Sequence, residues 1–159
     1  MINITWRAET EQVKQLFGRF VGRVKNPRPV LEGPILARLR QLTRRNFASE
    51  GALATPSPWK PLGKRALEVS DRIGMLRVTD RLFSSLTEDT SDAIAEVSPD
   101  GRTLNYGSRV FYFPKHQEGI GIPKRQPVPD PLPDQVQRQI RSDMREWVLR
   151  GTLRGGGRQ

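Results

Sequence analysis

The chain has 159 residues, a formal net charge of +10 and no cysteine. This length suits one domain with its own core, and the lack of cysteine excludes disulfides, thiolate metal sites and cysteine nucleophiles. Apolar residues make up only 35% of the chain, so we expect some segments to be ordered by other proteins. No apolar run has the length of a membrane-spanning helix, so we expect a cytosolic product with no membrane partner.

The charge is distributed unevenly along the chain. Residues 1–50 contain ten Lys/Arg and four Asp/Glu, residues 51–100 contain six and eight, and residues 101–159 contain eleven and five. Basic ends favour either contact with nucleic acid or docking on an acidic protein surface, and charge alone does not separate the two.

The first half of the chain predicts two helices. Residues 7–24 carry apolar side chains at helical spacing: Val13, Leu16, Phe17, Phe20, Val21 and Val24. After the breaker KNPRP, residues 32–49 predict a second helix with Pro34 in its first turn. Four arginines lie mostly off its apolar side and suit a solvated face or an anion site: Arg38, Arg40, Arg44 and Arg45.

The middle of the chain predicts a loop, a short helix and a small sheet. Residues 50–67 are rich in Gly, Pro, Ser and Thr and hold Trp59 between two prolines, where it would fill a core or an interface. Residues 72–90 are compatible with a short helix. Residues 92–113 supply strand material around a turn at Asp100-Gly101, and the strand character continues through Val110 to Phe113.

The stretch from residue 114 to residue 133 is rich in proline. It predicts an extended, polyproline-like arm that forms no helix. Residues 132–149 predict a last helix with Asp134 at its start, and residues 151–159 predict a flexible Gly/Arg tail after a single domain of residues 1–150. We expect the arm and the tail to reach a neighbouring subunit.

The only histidine of the chain, His116, lies in this segment. A catalytic histidine needs an orienting carboxylate and a nucleophile, but only Glu118 is near in sequence, and the chain has no nucleophile elbow, zinc-protease, phosphate-loop or calcium-loop motif. A zinc site would have to rely on carboxylates. The sequence therefore predicts no enzyme activity, no catalytic residues, no metal and no cofactor, with His116 as a hydrogen-bonding residue.

The order of short motifs resembles the phage virion morphogenesis family, the Mu-like and P2-like tail completion proteins. The resemblance covers about residues 10–150. Its elements, in order, are Phe47 with Glu50 and Gly51; Trp59-Lys60-Pro61-Leu62; Leu76 to Ser85; Tyr112 to Gly119; and Ile122 to Pro127. The chain departs from the family pattern at Asp80, where the family has glycine, at Phe113 and Pro114, and at Gln126, which is inserted before Pro127.

The resemblance implies a structural virion protein with an α+β fold, a small antiparallel sheet flanked by helices. Similar proteins form a ring, commonly six-fold, on the last ring of the tail tube. The implied partners are the tail tube protein, the head-tail connector or stopper, and genome DNA passing through the lumen without sequence-specific recognition. The implied location is the virion neck, with assembly in the host cytoplasm. The alternatives are a head-completion (stopper) protein and, more distantly, a basic non-specific DNA-binding factor.

Candidate interface residues follow from the arm, the resemblance and the tryptophans. Lys124 and Arg125 are expected to contact an acidic partner, and Trp59 and Trp147 to anchor an interface or a core. The full set is Trp59, Tyr112, His116, Gln117, Lys124, Arg125 and Trp147.

Overall fold

The computed structural model describes residues 10–53, 59–61 and 74–153. The predictions made for residues 7–9, for most of the loop at 54–58 and 62–67, for the start of the segment 72–90, and for the tail after residue 153 lie outside the described residues. Of the described helices, none has the length and apolar content needed to cross a membrane.

The first half forms the two predicted helical regions. Helix α1 spans Thr10–Lys25. Helix α2 (Arg28–Val30), a π-helical turn (Leu31–Ile35) and helix α3 (Leu36–Ala48) then follow one another directly. Pro34 lies inside the π-helical turn, and because proline has no N–H to donate, the wider turn is a local solution to the missing α-helical hydrogen bond.

A left-handed turn ends α3 and brings Trp59 back onto the helix. Glu50 and Gly51 both have positive φ, and the backbone nitrogen of Trp59 donates to the carbonyl of Glu50 over 2.7 Å. A Cβ added to Gly51 would lie 2.0 Å from Cδ1 of Trp59. Glycine is therefore required here both for its backbone conformation and for the close approach of the indole.

The middle of the chain forms helix α4 (Arg81–Thr87) and an antiparallel pair of strands, β1 (Ala93–Val97) and β2 (Leu104–Ser108), with Ala95 opposite Tyr106. The predicted short helix is confirmed, and so is the turn, where Gly101 has a φ of 74° and its nitrogen donates to the carbonyl of Ser98.

The chain after β2 differs from the prediction. The prediction that strand structure continues through residues 110–113 is wrong. The second strand ends at Ser108, and helix α5 begins at Phe113 and ends at Glu118. The expectation that residues 114–133 form no helix is wrong for residues 114–118. Pro114 occupies the first helical turn, where a missing N–H costs nothing, and Gly119 ends the helix with a φ of 81°.

Helix α6 (Asp134–Arg150) closes the described fold. One buried cluster contains Phe47, Trp59, Leu82, Leu86 and Val110, and a second contains Val30, Ile35 and Leu39, against which α6 packs. A bidentate ion pair between Arg38 and Asp143 joins α3 to α6. The fold is α+β, a small antiparallel sheet flanked by helices, and confirms the predicted class.

Candidate functional site

The Pro-rich segment, defined here as residues 119–133, lies against the protein's own core instead of extending away from it. Arg125, Gln126, Pro127 and Pro129 are buried. The side-chain amide of Asn46 on α3 donates to the carbonyls of Gln126 and Pro127 over 2.8 and 3.0 Å. This docking corrects the expectation of an arm that leaves the domain to hold a neighbour.

Gln117 is the second clamp on the Pro-rich segment. Its Oε1 accepts from the backbone nitrogen of Val128 over 3.2 Å, and its Nε2 donates to the carbonyl of the same residue over 2.8 Å. One side chain thus satisfies both backbone polar groups of Val128, as a neighbouring β-strand would. The expected hydrogen-bonding role of Gln117 is met inside the chain.

Arg125 is also used internally. Its guanidinium donates from Nε to the carbonyl of Lys60 over 2.9 Å and from Nη2 to the carbonyl of Pro61 over 3.2 Å. Burial lowers the pKa of Arg125, but a guanidinium keeps its charge at neutral pH. Arg125 is only 6% exposed and lies inside the fold, so the expectation that it contacts an acidic partner at the surface is corrected. Its neighbour Lys124 is exposed.

His116 is half-buried on α5 between Tyr112 and the Pro-rich segment. Its ring makes an edge contact with that of Tyr112, with centroids 6.1 Å apart, and its backbone carbonyl accepts from the nitrogen of Arg125 over 2.9 Å. Burial lowers the pKa of His116, and the charge of Arg125 lowers it further. Its buried Nδ1 has no hydrogen-bond partner among the residues that the structure describes. Nor do the described residues hold a group of three or more His, Asp or Glu side chains suited to a metal ion.

The two tryptophan candidates lie in different parts of the fold. Trp59 is 4% exposed and meets Phe47 edge to face, with ring centroids 5.4 Å apart. Trp147 on α6 packs on the second buried cluster, and its indole nitrogen donates to the carbonyls of Arg23 and Asn26, each over 3.3 Å. Trp147 therefore anchors the C-terminal end of α1 to α6.

The arginines of α3 are largely engaged in internal contacts. Arg38 pairs with Asp143, Arg40 pairs with Asp89, and Arg44 donates to the carbonyl of Thr87 over 2.6 Å. Of the predicted anion-binding set, Arg44 and Arg45 remain exposed on the helix. Two of the four arginines, Arg38 and Arg40, are therefore paired with carboxylates, and the charges of Arg44 and Arg45 are not.

The apolar face of α1 is left uncovered by the other described residues, a feature that the sequence pattern did not predict. This apolar face consists of Val13, Leu16, Phe17, Phe20, Val21 and Val24, each of which is exposed. Leu16 is 68% and Phe17 62% exposed, values unusual for large side chains aligned on one side of a helix. Helical spacing identified the stripe, but spacing does not say whether another part of the chain covers it.

In comparisons with known proteins, no family model, no curated protein and no solved structure matches this chain.

Proposed function

We propose that this protein is a structural virion protein of a tailed phage or prophage that completes the tail and joins it to the head. The observation that carries the proposal is the convergence of the motifs that resemble tail completion proteins. Phe47 and Trp59 share one buried cluster with Leu82, while Tyr112 and Phe113 pack against it. Motifs spread over some seventy residues (47–119) therefore meet around a single core, an arrangement that a shared fold pattern requires.

The main departure from the family pattern also fits this interpretation. Asp80 stands where the family has glycine, and it has a φ of 52°, the left-handed conformation that glycine adopts freely. Aspartate is among the residues that tolerate this conformation. Its carboxylate accepts two hydrogen bonds from the guanidinium of Arg77, over 2.7 and 3.1 Å, which help to hold the turn.

In this proposal the protein acts by assembly and catalyses no reaction. Copies join head to tail into a ring, six-fold by the resemblance, and each copy then presents two different faces to its neighbours. One side of the ring contacts the tail tube protein, and the other contacts the head-tail connector. The genome passes through the lumen without sequence-specific recognition.

The test is removal of the gene from the phage or prophage, with particles examined by electron microscopy. Without the protein we expect filled heads and separate tails, many of them of irregular length, and reintroducing the wild-type gene should restore joined particles. A tagged copy should sediment with tails. Joined particles in normal numbers without the gene would refute the proposal.

The two alternatives give different results in the same experiment. A head-completion protein would sediment with filled heads, and its loss would leave tails of normal length. A DNA-binding factor would bind free duplex with an affinity that falls steeply as salt is raised, and its loss would not leave heads and tails unjoined.

A further inference from the structure

Helices α1 and α6 form a groove with an apolar floor and a basic rim. The floor is made by Leu16, Phe17 and Phe20 of α1 together with Leu149 of α6. Arg19, Arg23 and Arg150 also line the groove, whose volume is about 440 Å³. This is enough space for one or two large apolar side chains from another molecule.

The groove is held in place by reciprocal contacts at the ends of its two helices. Arg23 donates to the carbonyls of Val148 and Leu149 over 3.4 and 3.1 Å, at the end of α6. Trp147 donates in return to the carbonyl of Arg23. The groove is thus defined by the fold, while the surface along residues 11–22 of α1 stays exposed.

The apolar face of α1 is too large to be an ordinary solvent-exposed surface. Its six large side chains are between 39% and 68% exposed, and Leu149 adds to the patch at 55%. Together they expose several hundred Å² of contiguous apolar area, the size at which a patch on a soluble protein marks a contact site.

Positive charge flanks this apolar face on both sides. On a helical projection Arg19 and Arg23 lie along one edge, and Lys14 and Lys25 lie along the other. The only acidic residue of α1 is Glu11, which pairs with Lys14 over 3.0 Å. Arg19 makes no ion pair within the described part of the chain. A partner must therefore cover apolar surface and supply negative charge at its edges.

We propose that this groove binds an acidic amphipathic segment of another protein. Apolar side chains of that segment fill the groove, and its carboxylates pair with the guanidinium group of Arg19 at the rim. Arg150 already pairs with Glu146 of the same helix over 3.5 Å. Segments of this kind bind as helices whose apolar residues recur every three or four positions. The site does not depend on the role in tail completion proposed above.

Three other occupants fit the surface less well. Pairing two copies through α1 would bring the cations of one helix against those of the other, and any other face of a second copy belongs to a chain with the same net charge of +10. A nucleic acid duplex would meet the cations with its phosphates but leave the phenylalanine rings in water. A flat lipid surface would reach the outer stripe but would not fill the groove between the two helices.

The experiment uses the full chain and a labelled helical peptide of about 18 residues, with Leu and Phe at helical spacing and Glu elsewhere. A second peptide carries Lys in place of each Glu. By fluorescence anisotropy we expect the acidic peptide to bind at least about tenfold more tightly than the basic one. Phe17→Ser should weaken acidic peptide binding about tenfold, and Arg19→Glu about threefold to tenfold. Phe111→Ser is the matched control, since Phe111 is 76% exposed and lies outside the groove, and it should leave binding unchanged.

Several outcomes would overturn the proposal. Equal binding of the two peptides, no binding of either, or full binding by Phe17→Ser would each do so. Binding to phosphatidylglycerol vesicles or to duplex DNA, lost in Phe17→Ser while the acidic peptide fails to bind, would assign the surface to lipid or to nucleic acid instead. Loss of self-assembly in Phe17→Ser, again without peptide binding, would assign it to a second copy. Normal tail joining in the gene-removal experiment would refute the proposed function but would bear on none of these results, so the two proposals fail separately.

Discussion

Replacing Gln117 with leucine should destabilise the isolated protein because Gln117 holds the Pro-rich segment on the core. The substitution removes both hydrogen bonds to the backbone of Val128 and leaves its N–H and carbonyl without their partner. Each lost bond costs about 1 kcal/mol, and stranding a partly buried backbone group adds to that cost, so we expect a loss of about 2–4 kcal/mol in the free energy of unfolding.

Urea unfolding followed by tryptophan fluorescence measures this effect, because Trp59 lies in the core that the segment covers. Gln135→Leu is the matched control, since Gln135 is exposed on α6 and the same change there should stay within about 0.5 kcal/mol. Gln117→Glu can still accept from the nitrogen of Val128 but cannot donate to its carbonyl, so we expect an intermediate loss. If Gln117→Leu and Gln135→Leu were equally stable, the segment would not be held on its own domain, and the original expectation of a free arm would return.

Two further predictions concern the backbone turn at Gly51 and the titration of His116. Gly51→Ala should lower the free energy of unfolding by about 3 kcal/mol or more, since a left-handed alanine costs about 1–2 kcal/mol and displacing the Trp59 ring adds to that cost. The control is Gly121→Ala, which should show only the backbone cost because Gly121 has positive φ but open space around it. Equal losses of the two variants in urea unfolding would refute the steric argument. Burial lowers the pKa of His116 in the folded protein, so protonation of His116 favours the unfolded chain. The stability that this group contributes is complete above about pH 6.5 and is lost as the pH falls from there through the lower pKa of the folded state. The slope is at most about 1.4 kcal/mol per pH unit. His116→Gln should flatten that slope in unfolding curves measured between about pH 7 and 5, and an unchanged slope would contradict the assignment.

Local patterns in the sequence identify much of the fold. Helices α1, α3 and α6 follow from apolar spacing, because side chains three and four residues apart share one face of a helix. The turn at Gly101 was expected from a residue type that tolerates positive φ, and Asp80, which stands where the family has glycine, also has positive φ. These features depend on interactions over a few residues, which is the range that sequence patterns report well.

The Pro-rich segment shows where sequence patterns fail. Its composition suits an exposed arm, yet prolines also lack the N–H groups that make an irregular segment costly to bury. Asn46 donates to the carbonyls of Gln126 and Pro127, and Gln117 satisfies both the N–H and the carbonyl of Val128. Both partners lie in other elements, so no local pattern could have shown that this segment docks on its own core.

Net charge has the same limit as a guide to binding partners. A formal charge of +10 favoured nucleic acid and acidic protein equally. The fold pairs Arg38, Arg40 and Arg81 with carboxylates, so the net charge stays the same but these three cations already have partners. On α1 the cations border exposed phenylalanine and leucine side chains. This apolar area favours a protein partner over a nucleic acid, because a phosphate backbone has no apolar groups to cover it. An acidic protein is therefore the favoured partner at this surface because apolar side chains lie beside the cations, and the number of cations does not decide it.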